Sequence, residues 1–245
     1  LVALVTPPTS PYPKGRKLVL YVLLILNTVV ILTSLSRSYW VGTLAGLAVL
    51  AVVLVIQSKQ VKQLGKMIAT LLIATTLAVL LLFTVSRFPF PQPSALDLTF
   101  LKDRSKIGSE AAVASRWNLL PPMISATLQH PITGSGFGAN VTYISNDPRI
   151  REVSVTGEYT TYAFEWGWID VWLKMGAIGL IGLIGLIGYI GLRLYQRAKT
   201  EPLYFGGLAG LAGLAVIHFF TPYLNHPLGF GILILATVLL DNDLS

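Results

Sequence analysis

The chain has no cysteine, which excludes a disulfide framework, a thiolate nucleophile and any Cys-based metal site. It is also short of charge. Only 12% of its 245 residues are Asp, Glu, Lys or Arg, about half the roughly 25% of a soluble domain. Hydrophobic residues make up 53%, and the mean hydropathy is +0.68. That balance excludes a water-soluble globular enzyme, and it excludes a disordered chain, whose apolar content would be far lower. Histidine is scarce as well. His130, His218 and His226 are the three present, and no HExxH spacing or His/Asp/Glu set with metal-ligand geometry accompanies them. A serine nucleophile has no G-x-S-x-G elbow to sit on. The chain opens on Leu1 without a basic n-region and cleavage site, so it reads as the C-terminal part of a larger membrane protein, with 1–17 as a truncated leading segment.

What the chain does have is long apolar runs. A bilayer-spanning helix needs about 20 mostly apolar residues. Leu18–Ser36, Ser38–Ser58 and Met67–Ser86 are free of formal charge. Met175–Leu192 is a fourth such run, with a helix beginning near Trp166, and Pro202–Asn225 a fifth that holds only His218. Pro227–Leu240 is shorter, suited to a short span or a re-entrant helix. The expected fold is all-α and polytopic: three spans over 18–86, one large loop over 87–165, and the C-terminal spans over 166–245, five full crossings plus the short segment. Gly176, Gly179, Gly182, Gly185, Gly188 and Gly191 recur every third residue. At 3.6 residues per turn that row spirals around the helix and permits close approach from several sides. Gly206 with Gly210, and Ala209 with Gly213, are small pairs of the kind that pack tightly in membranes.

The net charge of +7 is explained by topology. If all six segments cross, Lys14, Arg16, Lys17, Lys59, Lys62, Lys66, Arg193, Arg197 and Lys199 share one side with only Glu201, Asp241 and Asp243. The other side is nearly balanced. Cytoplasmic loops are enriched in Lys and Arg, so the first side is the cytoplasmic one and no nucleic-acid patch is needed. The long loop then lies outside. Long loops with structure of their own are commonly functional. This one opens with an extended Pro-rich stretch, Phe88 to Pro93, continues in a helix over Ser109–Gln129 that Pro121 and Pro122 should break or kink, and reaches a Gly-rich turn, Gly134-Ser135-Gly136-Phe137-Gly138. No βαβ unit surrounds that turn, so it is no dinucleotide fingerprint, though its amides could hold an anion.

Polar residues collect on the outer side. Arg37 stands at the outer end of the first span beside Tyr39 and Trp40, where it could snorkel or meet a diphosphate bidentately. Asp170 and Lys174 are i, i+4 and suited to pair structurally. Glu165 has no such partner in sequence. It lies among Phe164, Trp166 and Trp168, a setting that suits a general base or acid, although a negative charge also suits the start of a helix. His130 precedes Pro131 at a helix end, a position with a structural default.

The ordered set of these motifs resembles the O-antigen ligase and polymerase superfamily. Ser34-Leu-Ser-Arg-Ser-Tyr-Trp40 is similar to its Ser-Arg signature, and Arg116-Trp117 followed by His130-Pro-Ile-Thr-Gly134-Ser-Gly136-Phe-Gly138 to the segment of its large loop. Glu165 followed by Gly176 and Gly179 has the spacing of its H-[NSQ]-x9-G-x-x-G motif, with Glu in place of His and Trp166 in the second position. The resemblance extends over about Tyr21–Leu240 and implies further spans upstream. It implies metal-independent, cofactor-free glycan transfer on the outer face of the bacterial cytoplasmic membrane, from a polyprenyl-diphosphate-linked donor to a hydroxyl acceptor. Arg37 and Arg116 would bind the diphosphate in one shared pocket, Glu165 with Arg116 would be catalytic, and His130, Gly134, Gly136 and Gly138 would form the loop motif. Partners would be that lipid-linked glycan and membrane lipid. A polytopic transporter or lipid-linked-glycan flippase is the rival reading, which the Gly-rich helices, His218 and the Asp170–Lys174 pair would suit. Against it, the polar groups gather on one face and in one loop. A membrane scaffold without chemistry is the third.

Overall fold

A computed structural model describes residues 1–5, 15–58, 61–88, 109–154 and 156–241. The Pro-rich opening of the long loop lies outside the described residues beyond Phe88. The chain divides into two compact units. One comprises Leu1–Ala95, Ile187–Ile217 and Ile232–Ser245, the other Leu96–Leu186 and His218–Gly231.

The first unit holds α1 (Val2–Val5), α2 (Arg16–Thr33), α3 (Arg37–Ser58) and α4 (Val61–Ser86). Leu18, Val22, Leu26 and Val30, four residues apart, are exposed along one side of α2, as expected of a helix face whose solvent is lipid. Between α2 and α3 the chain reverses at Leu35, which takes the left-handed conformation with φ 48°. The Ser34 and Ser36 hydroxyls and the Trp40 indole, which donates to the Ile31 carbonyl at 3.0 Å, brace the turn. A buried cluster of Val2, Val5, Leu50, Leu54, Met67 and Phe205 joins these helices.

The second unit is the loop and the helix that receives it. Helix α5 (Ser109–Gln129) is followed by β1 (Val141–Ile144), the short α6 (Pro148–Val153), β2 (Glu158–Thr161) and α7 (Gly167–Ala198), whose later turns belong to the first unit. Strands β1 and β2 pair antiparallel, Val141 opposite Thr161 and Tyr143 opposite Tyr159. Their β-branched and aromatic residues suit a pleated surface, and the Tyr143 and Tyr159 rings meet edge to face at 6.0 Å. Among the described residues the hairpin is the one sheet beside the helices. Ser115, Leu119, Met123 and Thr127, four residues apart, are the buried face of α5, packed with Val141, Phe164, Trp166 and Leu173.

One expectation is corrected, and a second is narrowed. Helix α5 runs unbroken through Pro121 and Pro122. The missing N–H groups cost it only the bonds to the Trp117 and Asn118 carbonyls, on residues that are exposed. The run Pro202–Asn225 yields α8 (Tyr204–Phe220) and a 3₁₀ turn at Tyr223–Asn225. With 17 residues, α8 is about 26 Å long at 1.5 Å per residue, at the short end of what spans a bilayer core. It stops ahead of Pro222, which has no donor to continue it. Four helices among the described residues, α2, α3, α4 and α7, are thus long and apolar enough to cross a membrane, with α8 and α9 (Pro227–Asp241) as shorter apolar helices. The small pair Ala209 and Gly213 of α8 lies against Gly42 and Gly46 of α3, where a Cβ at Gly213 would come 2.8 Å from the Gly42 carbonyl. Around Gly182, Gly185, Gly188 and Gly210 no heavy atom lies within 4 Å of a built Cβ, so the glycine spiral is used in only a few places.

Candidate functional site

Helix α7 carries the device that organises the second unit. At Gly176 the backbone takes φ 68° and ψ −172°, a region open essentially to glycine alone. In an unbroken helix the amides of Ala177 and Ile178 would donate to the carbonyls of Leu173 and Lys174. Here all four groups turn to the loop. Ser135 donates to the Leu173 carbonyl at 2.7 Å and Gly136 to that of Lys174 at 2.9 Å, while Ala177 donates to the Pro131 carbonyl at 2.8 Å and Ile178 to that of Ile132 at 3.3 Å. The loop 131–136 is spliced into the helix break, where it pairs these four backbone groups of α7. The Trp172 indole adds a second bond to the Pro131 carbonyl at 2.9 Å. Gly134 and Gly136 have φ of 75° and 81°, and a Cβ on Gly134 would strike the Lys174 carbonyl.

This settles the Gly-rich turn. The amides of Gly134, Ser135 and Gly136 donate to His130, Leu173 and Lys174, so these three are not available to an anion. Gly134 and Gly136 supply the positive-φ positions of the splice, and His130, just past the end of α5, accepts from the Gly134 amide through its carbonyl. An open cavity of about 400 Å³ lies beside it, bordered by Gln129, His130, Ser135 and Asn140.

Arg116 and Glu165 meet. The Arg116 Nε donates to Glu165 Oε2 in an ion pair whose side chains are 41% and 48% exposed. Glu165 therefore has the partner that its sequence neighbourhood did not reveal, because that partner is 49 residues earlier. The backbone around the pair is fixed. The Trp166 indole donates to the Arg116 carbonyl at 2.9 Å and packs edge to face on Trp117 at 5.3 Å. Among the described residues the two Nη groups of Arg116 have no other partner, so they can receive a ligand's oxygens. Tyr143 is close enough to feel the Glu165 charge. Burial first, then that carboxylate, holds its phenol above the ordinary tyrosine range, so it stays a neutral donor. Sequence reasoning missed Tyr143, which carries no motif.

Asp170 and Lys174 do pair, at 2.7 Å and well buried, and Asn225 donates to the other Asp170 oxygen. His218 is fully buried. Its Nδ1 accepts from the Leu224 amide at 3.2 Å, Trp168 lies edge to face at 4.7 Å, and a Cβ on Gly167 would collide with it. These groups close the start of α7 onto the 3₁₀ turn. Arg37, the other nominated cation, begins α3 in the first unit. The second unit by itself thus brings together Arg116 and Glu165, with His130, Gly134 and Gly136 holding the splice nearby.

Against known proteins, a family model described as O-antigen ligase matches residues 21–184, about two thirds of the chain. The chain belongs to this family. The match ends at residue 184, short of the Leu240 that the motif resemblance reached. No curated protein and no solved structure matches.

Proposed function

From that membership we propose that the chain transfers a glycan from a polyprenyl-diphosphate-linked donor to a hydroxyl acceptor, at the outer face of the bacterial cytoplasmic membrane and without a metal. The observation that carries the reading is the exposed Arg116–Glu165 pair at the head of α7, the helix that holds the charge-free run Met175–Leu192. A surface pair of this kind contributes about 0–1 kcal/mol to stability, so a ligand can open it at little cost. Glu165 takes the proton of the acceptor hydroxyl, whose oxygen attacks the anomeric carbon. The bond from that carbon to the diphosphate oxygen breaks, and the polyprenyl diphosphate leaves with the electron pair. Arg116 meets the growing charge on the leaving group through its Nη groups. A carboxylate base brings negative charge towards an anionic donor, and the Arg116 guanidinium offsets it. The cavity beside the splice offers amide and hydroxyl side chains of the kind that hold sugar hydroxyls.

The test is transfer in proteoliposomes with a lipid-linked donor. Glu165→Gln keeps size and polarity but loses the base, and the rate is expected to fall by about 10²–10⁴-fold. Glu165→His is expected to retain part of the activity. A folded, inserted Gln variant that transfers at the parent rate would remove Glu165 from the mechanism. The transport reading predicts movement of donor across the bilayer with no new glycosidic bond, and the same assay detects it.

A further inference from the structure

Helix α5 has three faces. One is buried in the second unit, at Ser115, Leu119, Met123 and Thr127. A second is polar and exposed, at Asn118, Ser125 and Gln129. The third is apolar and also exposed. At 100° per residue, Trp117, Pro121, Ile124 and Leu128 fall within an arc of about 60°, and Trp117, Ile124 and Leu128 are 57%, 44% and 61% exposed. Just beyond the helix, Ile132 extends the stripe at 63%. A contiguous apolar surface of this kind has a partner.

We infer that the partner is the bilayer itself: α5 is an interfacial helix whose Trp117–Pro121–Ile124–Leu128 stripe enters the acyl boundary of the membrane that α7 crosses. The splice supplies the argument. Lys174 is the last charged residue before the run Met175–Leu192, whose 18 residues span about 27 Å, close to the ~30 Å of the hydrocarbon. Met175 therefore marks one edge of the hydrocarbon. The chain leaving α5 is fastened at that edge, because the Pro131 and Ile132 carbonyls accept from Ala177 and Ile178. Ile178 and Ile181, 65% and 69% exposed, are lipid-facing residues of α7, and exposed Ile132, bonded to Ile178, carries their surface into the stripe. Leu128 is one helical turn before Ile132. A helix held at its C-terminus in the boundary, apolar along one exposed side and with a Trp at the far end of that stripe, has the features of an interfacial helix. The splice pairs the Pro131 and Ile132 carbonyls and the Ser135 and Gly136 amides, as irregular backbone near lipid requires. The inference concerns depth alone and does not rest on the glycan-transfer reading.

The absence of cysteine makes the test direct. Single cysteines at Ile124→Cys and Leu128→Cys, and at Asn118→Cys and Ser125→Cys, are labelled with a nitroxide in the full chain. The protein is reconstituted into phosphatidylcholine–phosphatidylglycerol vesicles, and relaxation by oxygen is compared with relaxation by a nickel chelate. Positions 124 and 128 are expected to favour oxygen severalfold over 118 and 125. Equal nickel access at all four places the stripe in water and overturns the inference. Exclusion of both relaxers from 124 and 128 means that protein covers the stripe, another segment or a second copy, and overturns it too. A second reading avoids labels. Brominated lipids with bromine near the headgroup end of the chains are expected to quench the parent more than Trp117→Phe, and equal quenching would count against the inference.

Discussion

Replacing Gly176 by Ala attacks the splice at its hinge. The native backbone at φ 68° and ψ −172° is strained for any residue with a Cβ, at about 1–3 kcal/mol, and that Cβ would also collide with the Ile132 carbonyl and crowd the Gly134 amide. The helix has an escape. With residue 176 in helical conformation, Ala177 and Ile178 can donate to Leu173 and Lys174, so α7 recovers its own ladder. The loop has none, since Ser135, Gly136, Pro131 and Ile132 all lose their partners to water. Strain and crowding together disfavour the spliced state by on the order of 2–4 kcal/mol, which at 1.4 kcal/mol per decade is roughly 30- to 700-fold. Hydrogen exchange in nanodiscs reads it. Protection of the Ser135 and Gly136 amides is expected to fall by about that factor. The control sits in the same helix: Gly182 has open space around it, so Gly182→Ala should leave the loop untouched and strengthen α7 by up to ~1 kcal/mol. Unchanged protection in Gly176→Ala, or an equal loss in Gly182→Ala, would refute the account of the break.

Topology is checked by single cysteines in intact cells. A membrane-impermeant maleimide added from outside is expected to mark Tyr162→Cys in the exposed end of the hairpin and to spare Lys62→Cys at the start of α4, and labelling of the latter would reverse the orientation. Packing of α3 on α8 is checked by Gly213→Leu, which forces atoms into the Gly42 carbonyl and is expected to cost about 1–3 kcal/mol, seen as a lower unfolding temperature in detergent. Gly210→Leu, where a Cβ meets nothing within 4 Å, should leave that temperature unchanged.

Helical class and the long helices were legible in the sequence because an apolar run of bilayer length needs no tertiary information. The length of α8 was less so: Pro222 interrupts an apolar run that hydropathy alone carries on to Asn225. The hairpin was missed because Val141–Ile144 and Glu158–Thr161 are four residues each, too short for alternation to register. The site divides in the same way. The i, i+4 pair Asp170–Lys174 follows from helix geometry. The Arg116–Glu165 pair depends on how α5 docks on the head of α7, through Trp166 and Trp117, and no local rule carries that. Gly176 was read as one of a row of packing glycines, since nothing in a repeat of three says which member bears a positive φ. The sequence leaves the amides of Gly134-Ser-Gly136 open to an anion, and only the carbonyls exposed by the break show where those amides go.

Two ion pairs stand at the head of one helix, and their surroundings separate their roles. Asp170 is almost fully buried, with its side chain 3% exposed and that of Lys174 15%. Removing one partner from a buried pair leaves an uncompensated charge, a loss typically of about 3–5 kcal/mol. Lys174 and Asn225 are therefore committed to Asp170, and a substrate could not recruit them without dismantling the contact between α7 and the 3₁₀ turn. Arg116 and Glu165 are under no such constraint. Their side chains are nearly half exposed, water can replace either partner, and what holds them in register is the backbone: the Trp166 indole on the Arg116 carbonyl and the splice four bonds deep along the same helix. A site needs both properties at once, charges that a ligand can separate and a frame that does not move when they part. On that criterion the exposed pair is the one we propose for the chemistry, and the buried one, although it looks more like a designed ion pair, belongs to the fold.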